Sequence, residues 1–239
     1  MIINNLSFAY GDKPIFKAFD LVIPCNKVTC IMGESGCGKT TLLNCISKRL
    51  AYEGEIDYGR SENGLLSDKA IAYVFQQPRL VPSMTVKENI EYVLKGSKKD
   101  KEDRAKDILA KLQLSDCANS YPRFISGGQA GRAALARALA IDSDILLLDE
   151  PFKGLDLKLK SQILALLLPL IKEKTVVFVT HDAEDALAVG DAIYVLKREV
   201  GDSVNVVAKE EIALPKENRN LYCDEINKAR QNLFNTLLS

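Results

Sequence analysis

The sequence predicts an α/β fold with a largely parallel β-sheet covered by helices on both faces. Four short apolar segments have the length and composition of buried strands, and helix-period segments separate several of them. These segments are KVTCIM (27–32), AIAYVF (70–75), DILLLD (144–149) and TVVFVT (175–180). The chain has 239 residues, which suffices for one substantial core or for one core with a smaller satellite.

Two further strands are predicted ahead of the first core strand. The segments IINNLSFAY (2–10) and FKAFDLVIP (16–24) partly alternate polar and apolar residues, and a Gly-Asp-Lys-Pro turn separates them. We expect these two segments to form a small antiparallel sheet.

A mostly helical pattern fills the chain between the AIAYVF and DILLLD strands. It includes the charged segment SKKDKEDRAKDILAKLQL (97–114), which is typical of a solvated helix face. A helical insertion is therefore predicted to interrupt the order of strands. Near the end of the chain, apolar residues at helical spacing predict a packing helix: Leu221, Ile226, Ala229, Leu233 and Leu237.

Composition excludes several classes of protein. Lysine plus arginine and aspartate plus glutamate both count 32, so the basic excess of a duplex-binding protein is missing. The apolar segment ILALLLPLI (163–171) is shorter than the roughly 20 residues of a membrane-spanning helix. The N-terminus lacks the pattern of a secretory signal, and the six cysteines form no Cys-x-x-Cys pair, so we expect a cytosolic chain with reduced thiols.

The segment GESGCGKT (33–40) matches the phosphate-binding pattern Gly-x-x-x-x-Gly-Lys-Ser/Thr, between a predicted strand and the helix-like segment TTLLNCISKRL. Its glycines allow backbone N–H groups to turn toward phosphate oxygens, and the helix directs its positive dipole end at the same charge. Lys39 is predicted to reach the β- and γ-phosphates, and Thr40 to bind Mg²⁺. The predicted nucleotide-binding residues here are Gly33, Glu34, Ser35, Gly36, Cys37, Gly38, Lys39, Thr40 and Thr41.

The segment ILLLDE (145–150) ends a predicted buried strand with two acids at the carboxyl edge of the sheet. By itself this pattern is more often an ordinary strand end. Combined with the phosphate loop, it predicts that Asp149 holds the Mg²⁺ shell and that Glu150 orients and deprotonates the attacking water.

The segment ISGGQAGRAALARAL (125–139) begins an alanine-rich helix with Ser-Gly-Gly-Gln. Its simplest interpretation is a capped helix start, but the N-terminal amides of such a helix can also bind a phosphate. The predicted contacts are Ser126, Gly127, Gly128 and Gln129.

These three motifs, in this order, resemble the ATPase subunit of an ABC transporter over nearly the whole chain. The resemblance implies a P-loop NTPase core of the RecA-like kind, with an N-terminal antiparallel β-subdomain and an inserted α-helical subdomain. It implies one domain over 1–239, in which 1–76 and 140–239 form the nucleotide-binding core with its β-subdomain and 77–139 forms the helical insertion. It also implies ATP and Mg²⁺ as cofactors, and ATP hydrolysis coupled to transport.

The resemblance assigns roles to four more residues. Tyr10 matches the aromatic residue that stacks on adenine, although a tyrosine at the end of a strand is the alternative interpretation. Gln76 in YVFQQPRL matches the glutamine that contacts Mg²⁺ and water. Asp156 in KGLD matches the loop that crosses between two subunits, and His181 matches the histidine that contacts the γ-phosphate.

His181 is the only histidine in the chain. A buried, hydrogen-bonded histidine is the ordinary interpretation of such a residue. We expect strand 175–180 to lie beside strand 145–149, which would bring His181 to the same sheet edge as Glu150.

In the resembled family two ATPase subunits pair head to tail, so Ser126, Gly128 and Gln129 of one chain would close on the ATP of the other. Two departures from the family's usual pattern bear on this arrangement. Ala130 and Gly131 replace a basic residue and a glutamine, and glycine in a helix costs about 1 kcal/mol relative to alanine. Lys153 stands where a small residue is common, which predicts altered subunit contacts.

The segment VFQQPRLVPSMTVKENI (74–90) is similar to importer ATPases for nitrate, sulfonates, taurine and pyrimidine-type thiamine precursors. The resemblance implies a transmembrane permease as partner, indirectly an extracytoplasmic solute-binding protein, no nucleic acid, and a location on the cytoplasmic face of the membrane. The alternatives are an ABC ATPase of a lipoprotein-release or export system and a non-transport ABC ATPase. The partner proteins select the transported solute, so the sequence of this chain does not indicate which solute it is.

Overall fold

The strands of the protein form two sheets, and helices pack on both faces of the larger one. The computed structural model describes residues 1–59, 70–198, 203–216 and 219–238. The strands are β1 (Ile2–Tyr10), β2 (Lys13–Val22), β3 (Val28–Gly33), β4 (Glu53–Asp57), β5 (Ile71–Val74), β6 (Ile145–Asp149), β7 (Thr175–Val179), β8 (Ala192–Arg198) and β9 (Val204–Glu211). The helices are α1 (Lys39–Ile46), α2 (Val86–Glu91), α3 (Lys98–Lys111), α4 (Gly127–Ala140), α5 (Leu157–Ile171), α6 (Ala183–Val189) and α7 (Asp224–Leu238).

The larger sheet has the strand order β5-β6-β7-β3-β8-β9. The first five of these strands run parallel, and β9 pairs antiparallel with β8 at one edge. Every residue of β3, β6 and β7 is buried, as expected for central strands covered on both faces. The predicted α/β fold is confirmed, together with all four of its predicted core strands.

The smaller sheet has the order β2-β1-β4 and is antiparallel throughout. The predicted hairpin of β1 and β2 is confirmed, but the third strand, β4, was missed. Its sequence EGEID offers only Ile56 as a buried apolar residue, so strand periodicity is hardly visible there. Strands β8 and β9 were not predicted from the sequence either.

Alternate residues of β3 divide the interior into two apolar clusters. Cys30 and Met32 pack in the cluster that includes α2–α4, α6 and α7. Ile31 faces the other way and packs in the cluster that joins α1 to the smaller sheet. This side-to-side alternation is the ordinary consequence of the two-residue period of a strand.

Three helices, α2, α3 and α4, lie between β5 and β6, where a helical pattern was predicted. Each begins with a reciprocal capping box, at Thr85, Ser97 and Ser126 respectively. The predicted C-terminal helix is also present as α7, and it buries Ile226, Ala229 and Leu233.

Two further expectations concern the thiols and the membrane. All six cysteines are free. Within the described part of the chain, none of the helices combines the length and the apolar character needed to cross a bilayer.

Candidate functional site

The phosphate loop connects the end of β3 to the start of α1 and passes close to the smaller sheet. Gly36 and Gly38 have φ values of 83° and 97°, in the left-handed region that favours glycine. A Cβ atom on Gly38 would lie 2.9 Å from a methyl of Ile15 and 3.2 Å from the ring of Phe16. Glycine is therefore needed at position 38 both for the backbone conformation and for the packing of the loop against β2.

The side chain of Lys39 lies inside the curve of this loop. Its ammonium donates hydrogen bonds to the carbonyl oxygens of Gly33 and Glu34, each at 2.7 Å. The residue is only 8% exposed, so its charge is directed into the loop and not toward bulk solvent. The neighbouring Cys37 thiol has a raised pKa, chiefly because it is buried, and the charge of Lys39 opposes this shift.

Thr40 and Asp149 meet at the carboxyl edge of the sheet. The Thr40 hydroxyl donates a hydrogen bond of 2.9 Å to Oδ2 of Asp149, which is 2% exposed. Burial raises the pKa of the Asp149 carboxyl, and the Thr40 hydrogen bond partly offsets that effect. Oxygen atoms from a hydroxyl and a carboxylate are the ligands that Mg²⁺ prefers.

Glu150 is held by contacts to both its backbone and its carboxylate. Its φ of 48° is unusual for a residue with a side chain, and its N–H donates a hydrogen bond of 2.9 Å to the carbonyl of Val179 on β7. Gln76 donates through Nε2 to Oε2 at 2.9 Å, and Nδ1 of His181 lies 3.2 Å from Oε1. The ammonium of Lys153 lies 3.1 Å from Oε2.

These contacts determine the ionisation of Glu150. Burial by itself would raise the pKa of the carboxyl, but the hydrogen bonds from Lys153, Gln76 and His181 outweigh burial and lower the pKa below its ordinary value. Glu150 is therefore a carboxylate at neutral pH, which is the form that can accept a proton.

His181 follows β7 and lies at the same edge as Glu150. The predicted pairing of the two strands is confirmed, since Asp149 is in register with Val179. The side chain of His181 is 64% exposed, so the ordinary interpretation of a buried histidine is wrong. The start of α6 directly after it is capped by Asp182, which accepts a hydrogen bond of 2.9 Å from the Glu184 N–H.

The Ser-Gly-Gly-Gln segment forms the first turn of α4. The Ser126 hydroxyl accepts from the Gln129 N–H at 3.2 Å, and the Gln129 side chain accepts from the Ser126 N–H at 2.8 Å. A Cβ atom on Gly128 would lie 3.5 Å from the side chain of Leu155, which places this turn beside the KGLD loop. Among the described residues, no hydrogen bond or ion pair joins this turn to the phosphate loop of the same chain.

Asp156 and Tyr10 occupy the ends of two other elements. The Asp156 side chain caps α5 by accepting from the Leu159 N–H at 3.0 Å. Tyr10 ends β1, is 52% exposed, and contacts Phe8 edge to face with 4.8 Å between ring centroids. The hairpin that carries Tyr10 is the same one that packs under Gly38.

The residues that hold the segment after Gln76 were not predicted from the sequence. Asn89 is 1% exposed, and its side chain bonds both the N–H and the carbonyl of Val81, at 2.8 and 3.2 Å. Arg137 on α4 donates to the carbonyls of Pro78 and Arg79, at 3.3 and 2.9 Å. A signal for this arrangement lies in the segment TVKEN (85–89), which contains Asn89.

The pairing of Lys153 with Glu150 was also missed. In the sequence, Lys153 stands out only as a departure from the family's pattern that is predicted to alter contacts between subunits. Its spacing of three residues from Glu150 was visible, but the turn that brings the two side chains together was not.

Comparisons with known proteins agree with this geometry. Residues 16–153 match the ABC transporter family. The sulfate/thiosulfate import ATP-binding protein CysA of Synechocystis is 39% identical over 89% of this chain and 61% of its own length. The aliphatic sulfonates import ATP-binding protein SsuB 1 of Paracoccus denitrificans is 37% identical over 82% of this chain and 78% of its own length.

Solved structures give the same result. A dimeric structure of the ATP-binding cassette MJ0796, in a post-hydrolysis state bound to ADP and Pi, matches with a TM-score of 0.76 and 33% identity. The match covers 90% of this chain and 99% of that one. The chain spans 61% of the length of the Synechocystis relative, so its similarity to that protein concerns only the shared part. The phosphate loop, the acidic strand end and these relatives together identify the chain as an ATP-binding cassette that belongs to the ABC transporter family.

Proposed function

We propose that this chain is the ATP-hydrolysing subunit of an ABC importer. The observation that carries the proposal is the Glu150 carboxylate, which Gln76 and His181 hold beside the Thr40–Asp149 pair. This arrangement combines a proton acceptor and a cation-binding pair at the end of a phosphate loop, which is the set of groups that ATP hydrolysis requires.

ATP is proposed to lie with its phosphates in the loop 33–41 and its adenine against the exposed ring of Tyr10. The N-terminus of α1 and the ammonium of Lys39 both place positive charge inside this loop. Binding would transfer the Lys39 ammonium from carbonyl oxygens to phosphate oxygens, a stronger charge-assisted contact.

Mg²⁺ fits the oxygen atoms available next to the loop. The Asp149 carboxylate is buried and accepts a hydrogen bond from the Thr40 hydroxyl, and its oxygen atoms suit a hard cation. Thr40 and Asp149 would hold the ion, with Gln76 supplying an amide oxygen. When bound, the ion would offset the negative charge of the phosphates.

Glu150 is proposed to accept a proton from the water that attacks the γ-phosphate. His181 fixes one carboxylate oxygen and is exposed enough to reach a phosphate with its other ring nitrogen. Gln76 fixes the other oxygen from the last residue of the core before the helical insertion, so movement of the insertion would change the position of the base.

The helical insertion is proposed to span 77–139 and to carry the second half of the site. Ser126, Gly127, Gly128 and Gln129 would contact the ATP of a second copy in a head-to-tail homodimer, with Asp156 at the crossing between subunits. The partly exposed first turn of α4, separate from the phosphate loop of its own chain, supports this assignment.

The named relatives support import as the process. By name, one is an import ATP-binding protein for sulfate/thiosulfate and the other is one for aliphatic sulfonates. We infer a transmembrane permease as partner, an extracytoplasmic solute-binding protein as an indirect one, and a location at the cytoplasmic face of the membrane. The differing solutes of these relatives leave the solute of this system unassigned.

Replacing Glu150 by glutamine tests the proposal. The E150Q variant should bind ATP with Mg²⁺ at near wild-type affinity and lose at least about 99% of its hydrolysis, because the amide cannot accept the proton. It should also form an ATP-dependent dimer, measured by size-exclusion chromatography with light scattering. The exposed Glu173 provides a matched control, and E173Q should hydrolyse ATP at the wild-type rate. Hydrolysis by E150Q at the wild-type rate would remove Glu150 from the mechanism.

A further inference from the structure

Lys153 contacts the carboxylate that the proposed reaction uses. Its ammonium lies 3.1 Å from Oε2 of Glu150, and the Lys153 side chain is 58% exposed while that of Glu150 is 14% exposed. The Lys153 ammonium therefore contacts, from the solvent side, a carboxylate that is mostly covered by protein.

The turn between the two residues fixes this contact. The Lys153 N–H donates to the Glu150 carbonyl at 3.2 Å, which closes a turn and brings the two side chains to the same side. Phe152, inside the turn, is 4% exposed and packs on Phe178 with 5.5 Å between ring centroids. A buried aromatic anchor thus holds the segment that positions Lys153.

The two oxygens of Glu150 differ in the donors that they already accept. Oε2 accepts from both Gln76 and Lys153, whereas within the described residues Oε1 has His181 as its one hydrogen-bond partner. A carboxylate oxygen has two lone pairs, so two donors leave Oε2 without a free acceptor position. A water molecule can then give its proton only at Oε1.

We propose that Lys153 is a positioning residue that covers Oε2 of Glu150, leaves Oε1 as the only oxygen of this carboxylate that can take the proton of the attacking water, and thereby restrains ATP hydrolysis. This inference rests on the proposed role of Glu150. A cavity of about 230 Å³ lies beside the three side chains of Glu150, Lys153 and His181, so a water at Oε1 has room to enter.

Methionine at position 153 tests the role of the charge, because it keeps the length of the side chain. The K153M variant should have a kcat about two- to five-fold above wild type, the range that a partly exposed ion pair allows, with KM for ATP changed less than about two-fold. The K153R variant keeps the charge and should stay at the wild-type rate. As a matched control, K172M changes an exposed lysine beyond the far end of α5 and should also leave the rate unchanged.

The lone histidine supplies a readout besides turnover. Because His181 contacts Oε1 of the same carboxylate, releasing Oε2 in K153M should change the chemical shifts of the His181 ring in the absence of nucleotide. The protein should carry no histidine tag, so that one histidine signal is present. K153R and K172M should leave this signal in place.

The outcomes separate the two proposals. A kcat of K153M equal to or below the wild-type value, or an unchanged His181 signal, overturns the role of Lys153. Wild-type hydrolysis by E150Q instead overturns the role of Glu150, independently of any result at position 153. In the E150Q background, K153M should no longer change the residual rate of ATP hydrolysis. If it does change that rate, the contact between Lys153 and Glu150 is not the cause of the effect of K153M.

Discussion

At the scale of single residues, the site depends on how one carboxylate is oriented. Glu150 has a left-handed backbone, and donors from three different segments converge on its side chain. A positive φ at a residue with a side chain costs energy and persists only where surrounding contacts hold it. Here the hydrogen bond from the Glu150 N–H to the Val179 carbonyl holds the backbone in this conformation.

The lone histidine gives the first prediction at this scale. We expect the ring signal of His181 to move when a non-hydrolysable ATP analogue and Mg²⁺ are added, because the exposed ring would contact the γ-phosphate. ADP with Mg²⁺ should move it much less, since ADP has no γ-phosphate. NMR of the untagged protein measures both titrations, and equal shifts with the analogue and ADP would contradict the γ-phosphate contact.

The residues of the phosphate loop and the acidic strand end could be singled out from the sequence because short-range spacing determines their chemistry. Contacts between side chains that come from turns could not be found in this way. The pairing of Lys153 with Glu150 depends on a turn closed by a 3.2 Å backbone bond, and the hold of Asn89 on Val81 depends on a buried amide. Neither arrangement produces a hydrophobic period.

At the scale of elements, periodicity predicted the buried strands and failed at the edges of the sheets. β3, β6 and β7 are buried throughout, and their apolar sequences made them visible. β4 exposes three of its five residues, so its pairing with β1 follows from tertiary contacts and not from its own pattern.

Gly131 gives a prediction about the helix that begins with the Ser-Gly-Gly-Gln turn. It lies inside α4, and a Cβ atom there would meet nothing within 4 Å. The G131A variant should therefore be more stable by up to about 1 kcal/mol, because alanine loses less backbone entropy on entering a helix. The thermal midpoint should rise by about 2–4 °C, measured by circular dichroism or calorimetry.

Gly54 provides the opposite case as a control. Its φ is 96°, and a Cβ atom would lie 2.3 Å from the carbonyl oxygen of Asn5. The G54A variant should lower the thermal midpoint, since both the backbone conformation and the space oppose a side chain. A midpoint of G131A at or below the wild-type value would mean that the glycine in α4 is needed for packing.

At the scale of the whole molecule, the phosphate loop links the two sheets. It begins at β3 of the larger sheet, and Gly38 packs against Ile15 and Phe16 of the smaller one. The cluster on that face combines residues of α1 with residues of both sheets. A ligand held by the loop should therefore stabilise both sheets together.

Thermal unfolding with ATP tests this coupling. E150Q with Mg²⁺ and ATP at about 100 times its dissociation constant should gain about 2.7 kcal/mol, which raises the midpoint by about 5–10 °C. Both sheets should unfold in one transition. The unfolding midpoint should rise with protein concentration only when ATP is present, because ATP-dependent dimerisation then also stabilises the folded state. The K39M variant serves as the control and should show little shift, since it lacks the ammonium proposed to contact the phosphates. Two transitions of which only one responds to ATP would mean that the sheets unfold independently, and a midpoint independent of protein concentration would contradict the ATP-dependent dimer.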